Sequence, residues 1–404
     1  MAHRGMNFGV FLAPYHKLGE NPTLSLARDL ELVEWADYLG YDEAWMGEHH
    51  SGGWEVIGSP EIFIAHAIAR TRHIRLGSGV TSLPYHHPFI VAEQFVQLDH
   101  MSRGRVMLGC GPGALPSDAW MMGIEPVQQR PRMDEALGAI LRLLECGEPV
   151  TMKTDWFEMR EARLHLRPYS DPRFPIVVAS TVTPSGMIAA GKHGVGVISV
   201  AAGVPGGPDT LADHWKIAED TAAQHGKTMN RKDWRVVVKM HVAPTDEQAM
   251  AEVRAGEKFE TSEYHVETLG RPASSAPDPL AAGIAVGTTI IGSPDTVARG
   301  IQRLIDYTQG GFGALLFWAN EWASREETLR SLELFARYVM PRFQGSLETL
   351  ERSNKYVREN RATIMGKNVE AIRRAFTDHG REVPTGVRER TVGARDVDFG
   401  PIKG

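Results

Sequence analysis

The chain has 404 residues, a formal net charge of −6 and a hydrophobic content of 42%, which is enough apolar sequence for a large core. The negative charge gives no general attraction to nucleic acid or to anionic membranes, so we expect neither as a partner. Only two cysteines occur, and the first residues lack the apolar run of a secretory signal. These features exclude a disulfide-based fold and predict a cytoplasmic protein without membrane-spanning segments.

Short apolar runs alternate with longer helical patterns from the start of the chain. The run MNFGVFL (Met6–Leu12) predicts a strand, and the next pattern predicts a helix that stops at Gly40. A second strand, YDEAWMG, leads to Glu48–His50, and SPEIFIAHAIARTR predicts the following helix. A third strand, IRLGSGVTSL (Ile74–Leu83), and a fourth, RVMLGCGPG, flank another helical pattern. The chain therefore alternates strand and helix.

The same alternation continues to the last third of the chain. Further strands are predicted from FPIVVAST, GVGVISV, WRVVVKMHVA, GTTIIGS and GALLFWA. These runs are almost continuously apolar, as expected for parallel strands buried on both faces. About six strands would suit an open doubly wound sheet, whereas roughly eight favour the closed (β/α)8 TIM barrel. The sequence thus predicts an α/β protein with a (β/α)8 barrel.

Two regions depart from the barrel pattern. The Pro-, Ala- and Ser-rich stretch Ala273–Gly283 predicts an insertion loop, with a lid as one interpretation. The composition becomes strongly charged near residue 345. We therefore predict a barrel over residues 1–344 and a C-terminal extension over 345–404. The extension is interpreted as a helical arm, with a disordered tail as the alternative.

Two pairs of adjacent histidines, His49–His50 and His86–His87, follow the second and third predicted strands. Barrel chemistry is located at this end of the strands. Neighbouring residues of a strand point to opposite faces, so a metal shared by one pair is disfavoured and no metal site is predicted. One histidine facing a pocket suits acid–base or hydrogen-bonding chemistry, because its ring titrates near neutral pH.

A group of hydroxyl side chains follows the strand VVAS, at Thr181, Thr183 and Ser185, where a helix is predicted to begin. Hydroxyls and free N–H groups at a helix N-terminus favour a phosphate site, with simple N-capping as the alternative. A similar turn near residue 292 contains Asp295, which would repel an anion, so capping is expected there. The glycines of LGCGPG lack dinucleotide-motif spacing and indicate either a close backbone approach or a tight turn.

Several segments resemble the bacterial luciferase-like flavin monooxygenase family, within it most of all its limonene 1,2-monooxygenase-type subgroup. These are NFGVFLAPYHKLGENPT, GYDEAWMGEHHSGGWEVIGSPEIF, IRLGSGVTSLPYHHPFIVAEQF with the following VQLDHMSRGRVMLGCGPG, and VVASTVTPSGMIAAGKHGVGVIS. The resemblance extends over Met6–Phe343. It implies a (β/α)8 barrel that uses O2 as co-substrate and reduced FMN supplied by a separate NAD(P)H:flavin reductase.

The resemblance also implies roles for individual residues. His49 matches the pocket histidine of the family, beside a flavin C4a-hydroperoxide whose protonation it would control. A cis peptide is expected at Gly79-Val80. The reactive-cysteine position falls on Gly111 rather than Cys110, and the phosphate-binding arginine falls on Pro112, which shifts the phosphate contacts to the hydroxyl group. The expected cofactor contacts are Ala13, Gly79, Val80, Thr81, Gly111, Thr181, Thr183 and Ser185.

The expected reaction inserts one oxygen atom into a small apolar substrate such as a monoterpene-like alkene. Trp45, Trp120 and Met121 are predicted to form the apolar wall of the substrate pocket. Three alternatives stay open: Baeyer–Villiger oxygenation of a cyclic ketone, an F420-dependent dehydrogenase on the same fold, and a flavin-binding protein without enzymatic activity. Relatives imply a homodimer or a higher homo-oligomer.

Overall fold

The computed structural model describes residues 5–13, 15–181, 183–200 and 207–384. The chain divides into two compact units, residues 1–344 and 345–404. Within the first unit, strands and helices alternate as the apolar pattern predicts. The strands are β1 (Asn7–Leu12), β2 (Glu43–Met46), β3 (Arg75–Ser78), β4 (Thr81–Ser82), β5 (Val106–Gly111), β6 (Val150–Lys153), β7 (Glu158–Ala162), β8 (Ile176–Ser180), β9 (Gly196–Val200), β10 (Trp234–Val242), β11 (Thr289–Gly292) and β12 (Ala314–Trp318).

Eight parallel strands close into a barrel. The hydrogen-bonded order is β1-β2-β3-β5-β8-β9-β10-β12, and β12 pairs with β1 to complete the ring. The predicted (β/α)8 TIM barrel is therefore confirmed. Closure leaves these strands without free edges, which stabilises the sheet.

The remaining strands lie outside this ring. β11, predicted as one of the barrel strands, pairs among the described strands only with the C-terminal end of β10, at residues 239–242, whereas β12 pairs with β10 over residues 235–239. The third predicted strand is interrupted after Ser78, and its second part, β4, pairs with β5. The antiparallel hairpin of β6 and β7 was not recognised from the sequence.

The helices of the first unit are α1 (Pro22–Leu39), α2 (Pro60–Arg70), α3 (Pro88–Ser102), α4 (Pro116–Met121), α5 (Pro126–Leu144), α6 (Ser185–His193), α7 (Leu211–Gln224), α8 (Asp246–Phe259), α9 (Pro279–Val286), α10 (Pro294–Tyr307), α11 (Arg325–Tyr338) and α12 (Met340–Gln344). A π-helix, Glu260–Thr268, extends α8. Gly40 ends α1 in the left-handed conformation, with φ of 83°, as its predicted role as a stop signal requires.

The stretch predicted as an insertion loop is helical in its last part. α9 begins at Pro279, and Asp278 caps it by accepting a hydrogen bond from the Ala281 N–H. Leu280 is buried in a small apolar cluster with Trp322 and Ile291. Local capping and this apolar contact explain why the segment from Pro279 is ordered as a helix rather than a loop.

The barrel core has two layers. A large layer fills the space between the strands and the surrounding helices. A smaller cluster fills the barrel interior and contains Phe11, Ala13, Trp45, Met107, Val177, Ile198, Val200, Val237, Ala314 and Leu316. The interior is therefore packed, and any ligand site has to lie at the mouth of the barrel rather than along its axis.

The described residues of the second unit, 345–384, form two helices, α13 (Glu348–Glu359) and α14 (Arg361–Asp378). A helical extension was predicted here, and residues 385–404 lie outside the described part. No helix in the described ranges has the length and apolar content needed to cross a membrane.

Candidate active site

A cavity of about 770 Å³ opens at the C-terminal ends of the barrel strands. Its walls come from the segments that follow β1, β2, β3, β5 and β8, and from the π-helix and α9. Phe11, Val80, Leu115, Ile198 and Val200 contribute apolar surface. A mainly apolar cavity with a few polar groups at its edges is typical of a site for an organic cofactor or substrate.

His49 lies in the cavity wall between two buried carboxylates. Its Nδ1 is 3.4 Å from Asp118 Oδ2, and its Nε2 is 3.2 Å from Glu55 Oε2. Burial alone would lower the pKa of His49, but the charge of Glu55 and the hydrogen bond to Asp118 raise it above its usual value. The ring is therefore biased towards its protonated form.

Asp118 also anchors the loop that carries His49. Its Oδ1 accepts a hydrogen bond from the His50 N–H at 3.1 Å and a further one from the Ser51 hydroxyl. Although burial would raise its pKa, the hydrogen bonds from His49 and Ser51 hold that pKa below its usual value. Asp118 thus stays ionised and acts only as an acceptor.

Glu48, the residue before the first histidine pair, orients different rings. Glu48 Oε1 accepts hydrogen bonds from His50 Nε2 at 2.9 Å and from His86 Nε2 at 2.6 Å. His87, by contrast, caps α3 through its ring nitrogen. The histidines of each pair therefore have separate partners, and the described residues hold no group of three or more His, Cys, Asp or Glu side chains arranged for a metal ion.

One end of the cavity is lined with hydroxyl groups and a guanidinium. Thr181, Thr183 and Ser185 line it at the start of α6, and the hydroxyls of Thr183 and Ser185 are 2.7 Å apart. Arg130 from α5 also lines this end and donates from Nε to Ser185 Oγ at 3.2 Å. Pro184, which precedes α6, has no side-chain acceptor to cap the helix. This arrangement suits an anionic phosphate.

The far wall of the cavity carries a second polar cluster. Lys239 Nζ donates to Glu260 Oε1 at 2.8 Å and lies 4.9 Å from the centre of the Trp322 ring. Glu260 also accepts from the Trp322 indole N–H at 2.7 Å. The indole nitrogen of Trp318 is buried and has no hydrogen-bond partner. A buried donor without a partner is costly, and this nitrogen is enclosed by protein rather than open to the cavity.

The glycine-rich loop after β5 makes room for side chains of this same chain. A Cβ on Gly111 would meet Val80 Cγ2 at 2.3 Å, and one on Gly113 would meet the Tyr85 hydroxyl at 2.2 Å. Gly113 also has φ of 90°, a conformation that favours glycine. The lack of a side chain at Gly111 therefore leaves room for Val80, and Val80 lines the cavity while Gly111 does not.

Most of the predicted cofactor contacts come together. The cavity is lined by His49 and by the predicted contacts Ala13, Gly79, Val80, Thr181, Thr183 and Ser185. The Gly79-Val80 peptide is cis, as the resemblance implies. Thr81 is buried below the surface of the cavity, with an unpartnered hydroxyl. Thr81 and Gly111 are therefore the two predicted cofactor contacts that do not line the cavity.

The predicted apolar wall needs correction, because none of its three residues lines the cavity. Trp45 is fully buried inside the barrel, where its indole N–H donates to Glu43 at 2.9 Å. Trp120 and Met121 lie on the short helix α4 and are 83% and 64% exposed. The wall is instead formed by Phe11, Val80 and Leu115 with the aromatic residues Tyr15 and Trp318.

Sequence reasoning missed the side chains that reach the cavity from distant segments. These are Glu55, Arg130, Lys239, Tyr264 and His265. Glu55 follows Glu48 by seven residues, and its carboxyl group resembled any solvated charge there, while Lys239 lies inside the predicted strand WRVVVKMHVA. The others lie on helices or in a strand interior, and the sequence gives no sign of their convergence.

Comparison with known proteins agrees with this geometry. The sequence model of the family described as luciferase-like monooxygenase matches residues 6–312. The chain belongs to the luciferase-like monooxygenase family. It is 49% identical over 362 residues to 4-hydroxyprotoasukamycin monooxygenase of Streptomyces nodosus subsp. asukaensis, covering 88% of this chain and 96% of that protein. It is 48% identical over 359 residues to limonene 1,2-monooxygenase of Rhodococcus erythropolis, covering 88% and 92%.

A solved structure shares the fold of this family member. The oxygenating constituent of 3,6-diketocamphane monooxygenase from Pseudomonas putida, a type II Baeyer–Villiger monooxygenase in complex with FMN, superposes with a TM-score of 0.73 at 24% identity. The match covers 83% of this chain and 98% of that chain. The predicted family, and the prediction that the chain is an enzyme of the monooxygenase class, are thus confirmed.

Proposed function

We propose that the chain is an FMN-dependent monooxygenase that transfers one atom of O2 to a small organic substrate. The observation that supports this most directly is the layout of the cavity, which joins an anion site at the start of α6 to His49 across an apolar wall. Reduced FMN would supply the electrons that activate O2, and a separate NAD(P)H:flavin reductase would supply the reduced FMN.

The donor set at the start of α6 fits the phosphate of FMN. Thr183 and Ser185 offer hydroxyl donors, and Arg130 offers a positive charge held against Ser185. The N–H groups of the first turn of α6 add the positive end of the helix dipole. These groups would bind the phosphate and so fix the direction in which the flavin enters the cavity.

The apolar wall fits the flavin ring and excludes water. Val80 and Leu115 line the cavity close to the glycine-rich loop, and Phe11 is nearly buried at the end of β1. Water exclusion matters because an activated oxygen species in a wet site is lost to side reactions. His49, with its raised pKa, would donate a hydrogen bond or a proton to the oxygen atom that reacts.

The remaining wall supports two candidate substrate classes. A monoterpene-like alkene would use the apolar surface alone, as the size and lining of the cavity permit. Lys239, a hydrogen-bond donor in the far wall of the cavity, supports a second candidate, oxygenation of a cyclic ketone of Baeyer–Villiger type, because the ketone oxygen would accept a hydrogen bond from it. We further propose a homo-oligomer, most simply a homodimer.

The test is a turnover assay with FMN, a flavin reductase, NADH and ¹⁸O2. Limonene and camphor-type ketones are supplied separately, and the products are analysed by mass spectrometry. We expect one ¹⁸O atom in the product of at least one substrate class, and a large loss of turnover in His49→Gln. Substitution of the outward-facing His87→Gln is the control and should leave turnover intact.

Oxygen-independent hydride transfer with F420 in place of FMN would instead support the dehydrogenase alternative. Binding of FMN without turnover of any substrate class would support the non-enzymatic alternative. Equal turnover in His49→Gln and the unsubstituted enzyme would remove His49 from the reaction while leaving the assignment of FMN in place.

A further inference from the structure

The contact between His49 and Glu55 is unusual for a buried histidine and carboxylate. Glu55 Oε2 is buried and has no well-aligned hydrogen bond, although it lies 3.2 Å from His49 Nε2. Both residues line the cavity. Because this carboxylate oxygen lies so close to the ring nitrogen, it affects whether Nε2 carries a proton.

The contact of the other ring nitrogen, Nδ1, bears on how many protons the His49 ring carries. Asp118 is held in its ionised form, so the 3.4 Å contact with His49 Nδ1 requires that Nδ1 carry a hydrogen. If the ring held only that proton, Nε2 would carry a lone pair 3.2 Å from the buried carboxylate of Glu55, and two acceptors this close repel each other. A second proton, carried by Nε2, replaces this repulsion with attraction between the protonated ring and the nearby carboxylate.

Tyr264 fixes which oxygen of Glu55 faces the histidine. Its hydroxyl donates to Glu55 Oε1 at 2.7 Å, which leaves Oε2 for His49. Tyr264 is carried by the π-helix and stacks against Tyr15, with ring centres 4.6 Å apart. The aromatic packing and this hydrogen bond hold the Glu55 carboxyl group in one orientation.

The surrounding charges favour retention of that proton. The titratable and charged groups near the pair are Glu48, Asp118, Glu260, Tyr15, Tyr264 and Arg271. Three of these groups are carboxylates. Burial, together with the charges of Glu260 and Asp118, raises the pKa of Glu55, and the charge of Glu55 raises the pKa of His49. Both pKa shifts oppose loss of the proton from Nε2 of His49.

We propose that Glu55 is a positioning residue that keeps a proton on Nε2 of His49, so that His49 faces the cavity as an acid. The use of this proton rests on the proposed function: the N–H bond breaks as an O–H bond forms on the reacting oxygen, and solvent water returns a proton to Nε2 afterwards. The presence of the proton on Nε2 does not depend on the reaction.

The first experiment titrates His49 in the full-length, flavin-free protein. Long-range ¹H–¹⁵N NMR correlations of ¹⁵N-histidine report the protonation of each ring nitrogen, and the His49 signals are assigned with His49→Gln. We expect both nitrogens of His49 to be protonated at pH 7. In Glu55→Gln we expect proton affinity to fall by about tenfold or more, since a nearby opposite charge shifts a pKa by about one unit or more.

A matched control and a second variant make the result specific. Glu252→Gln removes the buried partner of a different histidine, because Glu252 Oε2 is 2.8 Å from His241 Nε2; it should alter His241 and leave His49 unchanged. Tyr264→Phe removes a donor that stabilises ionised Glu55, so proton release from the pair should move to higher pH. A merely structural role for Tyr264 would not produce this opposite sign.

The outcomes separate the inference from the proposed function. An unchanged titration of His49 in a folded Glu55→Gln variant overturns the inference; Glu55→Asp, which withdraws the carboxylate by one methylene group, serves if the first variant does not fold. A shifted titration with a matching shift in the pH profile of turnover supports both. A shifted titration with no oxygen transfer by any variant supports the proton at the contact and rejects the proposed function.

Discussion

Glu48 and His86 are joined by a hydrogen bond of 2.6 Å between Oε1 and Nε2, which ties the segment after β2 to the segment after β3. The Ser82 N–H donates to the other oxygen of Glu48 at 2.5 Å. Burial would raise the pKa of Glu48, but its hydrogen bonds with His50 and His86 lower that pKa to about 2. Glu48 is thus a structural support for the site.

This relationship predicts that Glu48 stabilises the fold in a pH-dependent way. Because the pKa in the folded protein, about 2, is below the unfolded value, the stabilisation is present above about pH 4.5 and is lost as the pH falls towards 2. We expect Glu48→Gln to lower the free energy of unfolding by about 3 kcal/mol at pH 7. Urea unfolding at several pH values measures this.

The control for this prediction is Glu158→Gln, since Glu158 is an exposed partner of Arg160 and exposed ion pairs contribute little. Glu158→Gln should have nearly the same free energy of unfolding as the unsubstituted protein. If the difference in unfolding free energy between Glu48→Gln and the unsubstituted protein stayed constant from pH 7 down to pH 2, the stabilisation would not come from ionised Glu48.

His16 gives the opposite pH dependence. It is buried between Asp29 and Glu321, at 3.1 and 2.9 Å. Burial would lower its pKa, but the hydrogen bonds with these carboxylates raise it to about 9. Since the folded value lies above the unfolded one, the stabilisation is complete below about pH 6.5 and is lost as the pH rises through 9.

We therefore expect His16→Gln to reduce stability by about 2 kcal/mol at pH 6, a value that allows for the opposing cost of burying Asp29. The difference should shrink as the pH approaches 10. Thermal or urea unfolding at pH 6, 8 and 10 tests this. A difference in stability that grew with pH would contradict the prediction.

The fold was predictable because local rules and the barrel agree. Gly40 stops α1 in the conformation that its position indicated, and Ser293 caps α10 through a hydrogen bond from the Thr296 N–H, as expected for that turn. The exception is β11. Its apolar run matches that of a barrel strand, and only the pairing with the far end of β10 excludes it from the ring. Pairing partners are not encoded in a run of four residues.

The site was predictable only where the chain order itself places residues at strand ends. His49, Thr183 and Ser185 follow barrel strands directly, so the fold alone brings them to the cavity. Tyr264 meets Glu55 across 209 residues of sequence, and Arg130 reaches Ser185 from a helix that its apolar pattern describes only as covering the barrel. Trp120 was misplaced because composition does not reveal which side of α4 faces solvent.

The barrel interior contains a buried ion pair whose disruption should be costly. Arg235 on β10 donates to both oxygens of Glu43 on β2, at 3.0 and 2.9 Å. Glu43 also accepts from Trp45. Removing only one charge leaves the other buried and uncompensated, so we expect Arg235→Met to destabilise the protein by about 3–5 kcal/mol.

Replacing both charged residues of the pair with neutral ones should recover much of the stability lost in Arg235→Met. In the double variant that combines Glu43→Gln with Arg235→Met no charge of the pair remains buried, and the introduced side-chain amide oxygen can still accept from Trp45. Unfolding free energies of the two single variants and the double variant form the required cycle. Arg337→Met, which breaks an exposed pair with Glu333, is the control. A double variant less stable than Arg235→Met would contradict the argument.

Arg130 should contribute to FMN affinity and little to stability. It is exposed at the mouth of the cavity and donates to Ser185 Oγ at 3.2 Å, so its loss removes a charge from the anion site without opening the core. A charge-assisted hydrogen bond contributes about 1.5–3 kcal/mol, and Arg130→Ala should therefore weaken FMN binding by roughly 10- to 100-fold.

Fluorescence titration with FMN, riboflavin and inorganic phosphate locates that contribution. Arg142→Ala is the matched control, because Arg142 is an exposed arginine on the same helix, outside the cavity lining. Arg130→Ala should weaken FMN binding strongly but leave the weaker binding of riboflavin, which lacks the phosphate, nearly unchanged. An equal loss for FMN and riboflavin would mean that Arg130 contacts another part of the flavin, and the hydroxyls at the start of α6 would then hold the phosphate without it.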